Sequence, residues 1–134
     1  MGLRKKASEA AHQPPSSNNA SQRKLGAIVH AALIQAGYDV EWLAFSKHND
    51  NKSRVYVGTH GSKDIWVGNM TRPHGKFKPA DAQGCAAKLN QVFGAGNELA
   101  RAGQSTIDMK VTGDVYVTCP STRTLTKLYD RLVK

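Results

Sequence analysis

The chain has 134 residues, a net charge of +9 and a sequence pI near 9.8. That is one domain's length, long enough to form a core without metal or disulfide staples. Cys85 and Cys119 form no CxxC pair, so a structural zinc centre is not expected, and no apolar run approaches the ~18 residues of a membrane span.

The basic excess is spread along the chain and densest at the start. Residues 1–24 hold five basic and one acidic side chain, residues 25–94 eight and five, and residues 95–134 six and four. A polyphosphate binds such a surface through counterion release, so nucleic acid is the partner the charge favours. An acidic protein partner would be steered by the same charge. No apolar h-region follows the first residues, and an intracellular, cytoplasmic protein is expected.

Residues 1–20 are rich in Ser, Asn, Pro and Ala and poor in large apolar side chains. Burial there cannot offset the entropy of ordering, and a disordered basic N-terminal arm is expected. Arg4, Lys5 and Lys6 could contact phosphates from it. Residues 21–134 are expected to form a single α+β domain.

Ser21 is a natural N-cap. Leu25, Ile28, Val29, Ala32, Leu33 and Ala36 then follow helical spacing up to a stop at Gly37. Residues 38–47 read as a strand, 48–52 as a turn, and 53–59 and 63–69 as two more strands joined by a short loop. Such short connections favour an antiparallel meander. A loop with Pro73, Gly75 and Pro79 leads to a helix over 80–93, whose apolar side is Ala82, Cys85, Ala86, Leu89, Val92 and Phe93. Gly94 and Gly96 break that helix, and residues 97–102 read as a short helical turn ended by Gly103. Strands follow at 105–111 and 114–119, with Gly113-Asp114 as the hairpin signal between them. Ser121 caps a last helix with the stripe Leu125, Leu128, Leu132 and Val133. The expected architecture is an antiparallel sheet of about five strands with helices packed on one face, in the order α-β-β-β-α-(α)-β-β-α.

Two features point to function. Val55 and Val57, with Ile65 and Val67, alternate as a core face, which turns Tyr56 and Trp66 away from the helices. On an open sheet, two such aromatics form a platform for stacking bases. Arg54 shares that face, Lys52 and Lys63 lie at its edges, and Trp42 joins it in one of two registers of the first strand. If the C-terminal segment covered this face, the same rings would be core. The second feature is the loop Arg72, Pro73, His74, Gly75, Lys76, Phe77, Lys78, Pro79, whose cations precede a helix N-terminus and suit phosphate contact. Histidines stand at 12, 30, 48, 60 and 74. A pair of them could cut RNA through its 2′-hydroxyl, with His48 and His74 as candidates. No nucleotide, cofactor or metal motif appears.

Ala36-Gly37-Tyr38, the strand leading to Ser46-Lys47-His48, and the run from Pro73 to Pro79 before a helix resemble HicA-type messenger-RNA interferase toxins over residues 24–94. That resemblance implies a double-stranded-RNA-binding-like α-β-β-β-α fold. It also implies metal-independent RNA cleavage by a histidine near the end of the first strand, for which His48 is the nearest match. Ser46 follows Phe45 rather than a glycine, and the last 40 residues have no counterpart in that pattern. The element order also resembles the core of single-strand annealing proteins. Three readings follow: a nucleic-acid-binding protein without catalysis, a ribonuclease of the toxin type, and an inhibitor or adaptor that docks on an acidic protein surface.

Overall fold

Helix α1 (Ala20–Gln35) forms where the apolar stripe has helical period, and it buries Leu25, Ile28, Val29, Ala32 and Leu33. The computed structural model describes residues 20–42, 55–60, 64–69, 77–107 and 109–134. The expected arm over 1–20 lies outside these residues except for Ala20. Ser21 stands inside α1 rather than capping it. Gly37 ends the helix as expected, at φ 97°. Tyr38 N–H donates to Leu33 O and Gly37 N–H to Ile34 O, each at 3.0 Å, the paired bonds of a Schellman stop.

The chain continues through β1 (Val40–Trp42), β2 (Val55–His60), β3 (Asp64–Asn69), α2 (Pro79–Phe93), β4 (Ala100–Ile107), β5 (Lys110–Val117) and α3 (Thr122–Leu132). The class is α+β, as the sequence predicts. The strands form one sheet in the order β1-β2-β3-β5-β4. Pairing is antiparallel throughout β2 to β4, but β1 runs parallel to β2, with Val40 opposite Val55. This corrects the expected meander. β1 ends at Trp42, which leaves twelve residues before Val55, enough chain for a parallel return.

The C-terminal half also departs from expectation. Residues 97–99 are a loop, and Ala100 already opens β4, so the helical turn over 97–102 does not form. Gly113-Asp114 is not a hairpin turn. Both residues lie within β5, and the connection falls between Ile107 and Lys110, where Met109 takes φ 64°. Gly103 likewise sits inside β4.

Register sorts the side chains into two faces. Val57, Val67, Val115 and Ala102 align across one face, with Ile65, Val117 and Ala100 in the next row. These join the buried stripes of all three helices in one core. Leu89 and Phe93 of α2 are fully buried in it, and Leu125 and Leu128 of α3 nearly so. Each such side chain contributes roughly 1.5–3 kcal/mol by leaving water. Ser121 caps α3 as predicted, its Oγ accepting from Thr124 N–H at 3.3 Å. Arg131 then donates to the carbonyls of Val92 and Phe93 at the end of α2 (3.1 and 2.7 Å), and Phe93 O also accepts from Asn97 Nδ2 at 3.2 Å.

Asn90 fastens the start of β4 to α2. Its Nδ2 donates to Ala100 O at 2.8 Å, and its Oδ1 accepts from Ala100 N–H at 2.9 Å. Replacing Asn90 by Ala removes both bonds from a strand that neighbours β5 alone. The expected loss is about 1–3 kcal/mol, to be measured by urea unfolding. An unchanged midpoint would show that the clamp adds nothing.

Candidate nucleic-acid interface

The sheet face away from the helices is built by the strand residues that the core alternation leaves over. Trp66 in β3 lies directly opposite Gly58 of β2 on one side and Tyr116 of β5 on the other, and Tyr116 lies opposite Arg101 of β4. Trp66, Tyr116 and Arg101 therefore form one cross-strand row. Trp66 and Tyr116 are half-buried and Arg101 is exposed. Opposite residues in antiparallel strands have Cβ atoms about 4.5–5.5 Å apart, so the two side chains leave the sheet from adjacent positions. The last helix, which could have covered these rings, instead packs beside α1, with Lys24 Nζ 5.2 Å from the Tyr129 ring centroid.

Below this row sits a small polar network. Asp114 is opposite Gly103, and Thr112 is opposite Ser105. Asp114 Oδ2 accepts from Ser105 Oγ at 2.6 Å and from Tyr116 OH at 3.4 Å, and Thr112 Oγ1 donates to Ser105 O at 3.4 Å. Burial first, then the Asp114 carboxylate, raises the Tyr116 phenol above its ordinary pKa, while Arg101 works the other way. The phenol is therefore a neutral donor at physiological pH. A Cβ on Gly103 would lie 3.6 Å from Tyr116 Cε2, which places that ring over the glycine.

The sequence-predicted site residues divide. Trp66 lies on the face expected for it. Position 56, opposite Gly68, falls on the same face by register. Lys78 is exposed and precedes α2, whose first turn packs on the other face of the sheet against Gly113. It does not join the Trp66 row. Lys52, Arg54, Lys63, Arg72, His74 and Lys76, and the catalytic candidate His48, lie outside the described residues.

Sequence reasoning missed Tyr116 and Arg101. A signal was present: Asp114-Val115-Tyr116-Val117 repeats the pattern of Asp64-Ile65-Trp66-Val67. Arg101 was hidden by the helical reading of residues 97–102.

A concavity of about 370 Å³ lies between the end of α1 and the start of α2, lined by Tyr38, Asp39, Phe77, Asp81 and Lys88 among others. Burial pushes Cys85 up to about 11, against the opposing effects of Tyr38 and Lys88. Burial, then Cys85, pushes Tyr38 up to about 12. Both groups are protonated at neutral pH, so neither offers a nucleophile there. Their folded pKa values are raised, so their contribution to stability is complete below the unfolded values. It is lost as pH rises through about 9 to 11 for Cys85 and about 10 to 12 for Tyr38. Unfolding midpoints should fall over that alkaline range, and Cys85→Ala should lessen the fall. Midpoints that stay level up to pH 11 would contradict this.

Among the described residues, no group of three or more His, Cys, Asp or Glu side chains could hold a metal ion. No described helix is long and apolar enough to cross a membrane. No protein-family model, curated protein or solved structure matches the chain.

Proposed function

We propose that this protein binds single-stranded nucleic acid on the sheet face opposite its helices. The observation that carries the reading is the row Trp66, Tyr116, Arg101, in which two aromatic side chains and a guanidinium cross three adjacent strands. Unpaired bases present flat π-faces that stack on such rings regardless of sequence. The guanidinium at the end of the row pairs with a phosphate or stacks in turn. The charge of +9 supplies the non-specific attraction that brings the strand in. Binding of this kind needs no catalytic group.

The test is fluorescence anisotropy with labelled single-stranded DNA, single-stranded RNA and duplex DNA of matched length, titrated from low to physiological salt. A stacking face predicts preference for the single strands, with affinity falling as salt rises but persisting at physiological ionic strength. Equal, weak binding to all three that disappears with salt would mean that the charge is generic. A pull-down for an acidic protein partner would then be the next experiment.

A further inference from the structure

Asp114 is an acid on a face that the preceding reading gives to a polyanion. It is only 8 % exposed, although it lies on the strand face away from the core. Its two oxygens are not equivalent. Oδ2 has both acceptor positions filled, by the Ser105 and Tyr116 hydroxyls. Oδ1 accepts from no described residue. The arrangement is thus a carboxylate locked by one oxygen, with the other left as an acceptor two residues along the strand from Tyr116.

An acceptor held beside a stacking ring meets the edge of a base stacked there. The four bases differ in what they bring to it. Guanine puts two donors side by side on its pairing edge, N1–H and the N2 amino group. Adenine and cytosine each bring one amino group next to a ring nitrogen acceptor. Thymine and uracil bring a single N–H between two carbonyls, which a carboxylate repels. Asp114 is only 8 % exposed, so a base edge seated there displaces the water that Oδ1 reaches, and a mismatched edge leaves that oxygen without a donor.

Resting on the single-strand reading above, we infer that Asp114 makes this face prefer guanine, Oδ1 accepting from the N1–H and N2 amino groups of a base stacked on Tyr116. Ser105 is then a positioning residue, holding the carboxylate through Oδ2. Tyr116 supplies both the stacking surface and the second hydrogen bond that fixes the acid.

The experiment compares three labelled twelve-nucleotide DNA strands. One is all thymine, one has three central guanines, and one has inosine in place of those guanines, which removes only the N2 amino group. The wild-type protein is expected to bind the guanine strand roughly tenfold more tightly than the other two, and Asp114→Asn should bring all three strands to similar affinity. The inosine comparison uses the unaltered protein, so it decides the matter even if the variant folds poorly. Firm binding of all three strands by the wild type with equal affinity would overturn the guanine preference and leave the single-strand reading standing. Failure to bind any of them at low salt would overturn both.

Discussion

Replacing Gly113 by Ala should lower the melting temperature by on the order of 10 °C, a loss of roughly 1–3 kcal/mol or more. The reason is the approach of β5 to the first turn of α2. A methyl group at position 113 would lie 2.7 Å from Ala82 Cβ and 2.8 Å from both Lys78 O and Pro79 Cα. Two of these three atoms are backbone, and both belong to the start of α2. They cannot move without shifting the helix away from the sheet. The same close approach carries a hydrogen bond, from Gly113 N–H to Phe77 O at 2.6 Å, and Phe77 is itself buried in the core. Gly103 on the neighbouring strand is the control. A methyl group there meets only Tyr116 Cε2, at the ordinary contact distance of 3.6 Å. Gly103→Ala should be neutral, or stabilising by a few tenths of a kcal/mol through the unfolded chain. Calorimetry of the two variants is the check. A Gly113→Ala protein melting within about 2 °C of wild type would show that α2 does not sit this close.

The second large effect concerns binding. Each base stacked on an aromatic side chain contributes about 1–3 kcal/mol, so Trp66→Ala and Tyr116→Ala should each weaken single-strand binding by at least roughly fivefold. Because the two residues are cross-strand neighbours in one row, the double variant need not show the sum of the two losses. Duplex binding, which rests on phosphate contacts, should change little. Trp66 is half-buried, so its truncation also removes cross-strand contact and should lower stability by about 0.2–1 kcal/mol. Circular dichroism separates that loss from unfolding. Unaltered affinity in both variants, with the fold intact, would remove this face from the binding surface.

Local patterns made much of this structure readable. The stripes of α1 and α2 have helical period, and nearly every apolar residue assigned to them is buried. Val133 alone among the α3 stripe is exposed, because the helix has ended by then. The alternation in β2 and β3 placed Val55, Val57, Ile65 and Val67 in the core and Trp66 on the other face. The failures share one physical origin. In the sequence Gly103 and Gly113 look like punctuation, since glycine commonly marks turns. Here both lie in strands, and Gly113 is needed for close packing with a helix distant in sequence. The actual turn falls at Met109, in a left-handed conformation that its residue type does not advertise. The displaced turn shifts the expected fourth strand off Arg101, while Tyr116 still falls in the expected fifth strand without being recognised as part of the row. The parallel pairing of β1 was equally hidden, because strand direction is a long-range choice with no local signature.

The docking of α3 beside α1 bears on synthesis. Lys24 and Tyr129 touch, although more than a hundred residues separate them, and Leu125 and Leu128 enter the same core as Leu25 and Ile28. While the chain is being made, the apolar stripe of α1 emerges well before α3, which packs beside it. Until α3 docks, the side of α1 that it covers is surface that a chaperone, or another nascent chain, can bind. A chain halted before residue 125 would carry the sheet and two helices but lack that cover, and it should aggregate or be degraded where a chain that includes α3 persists.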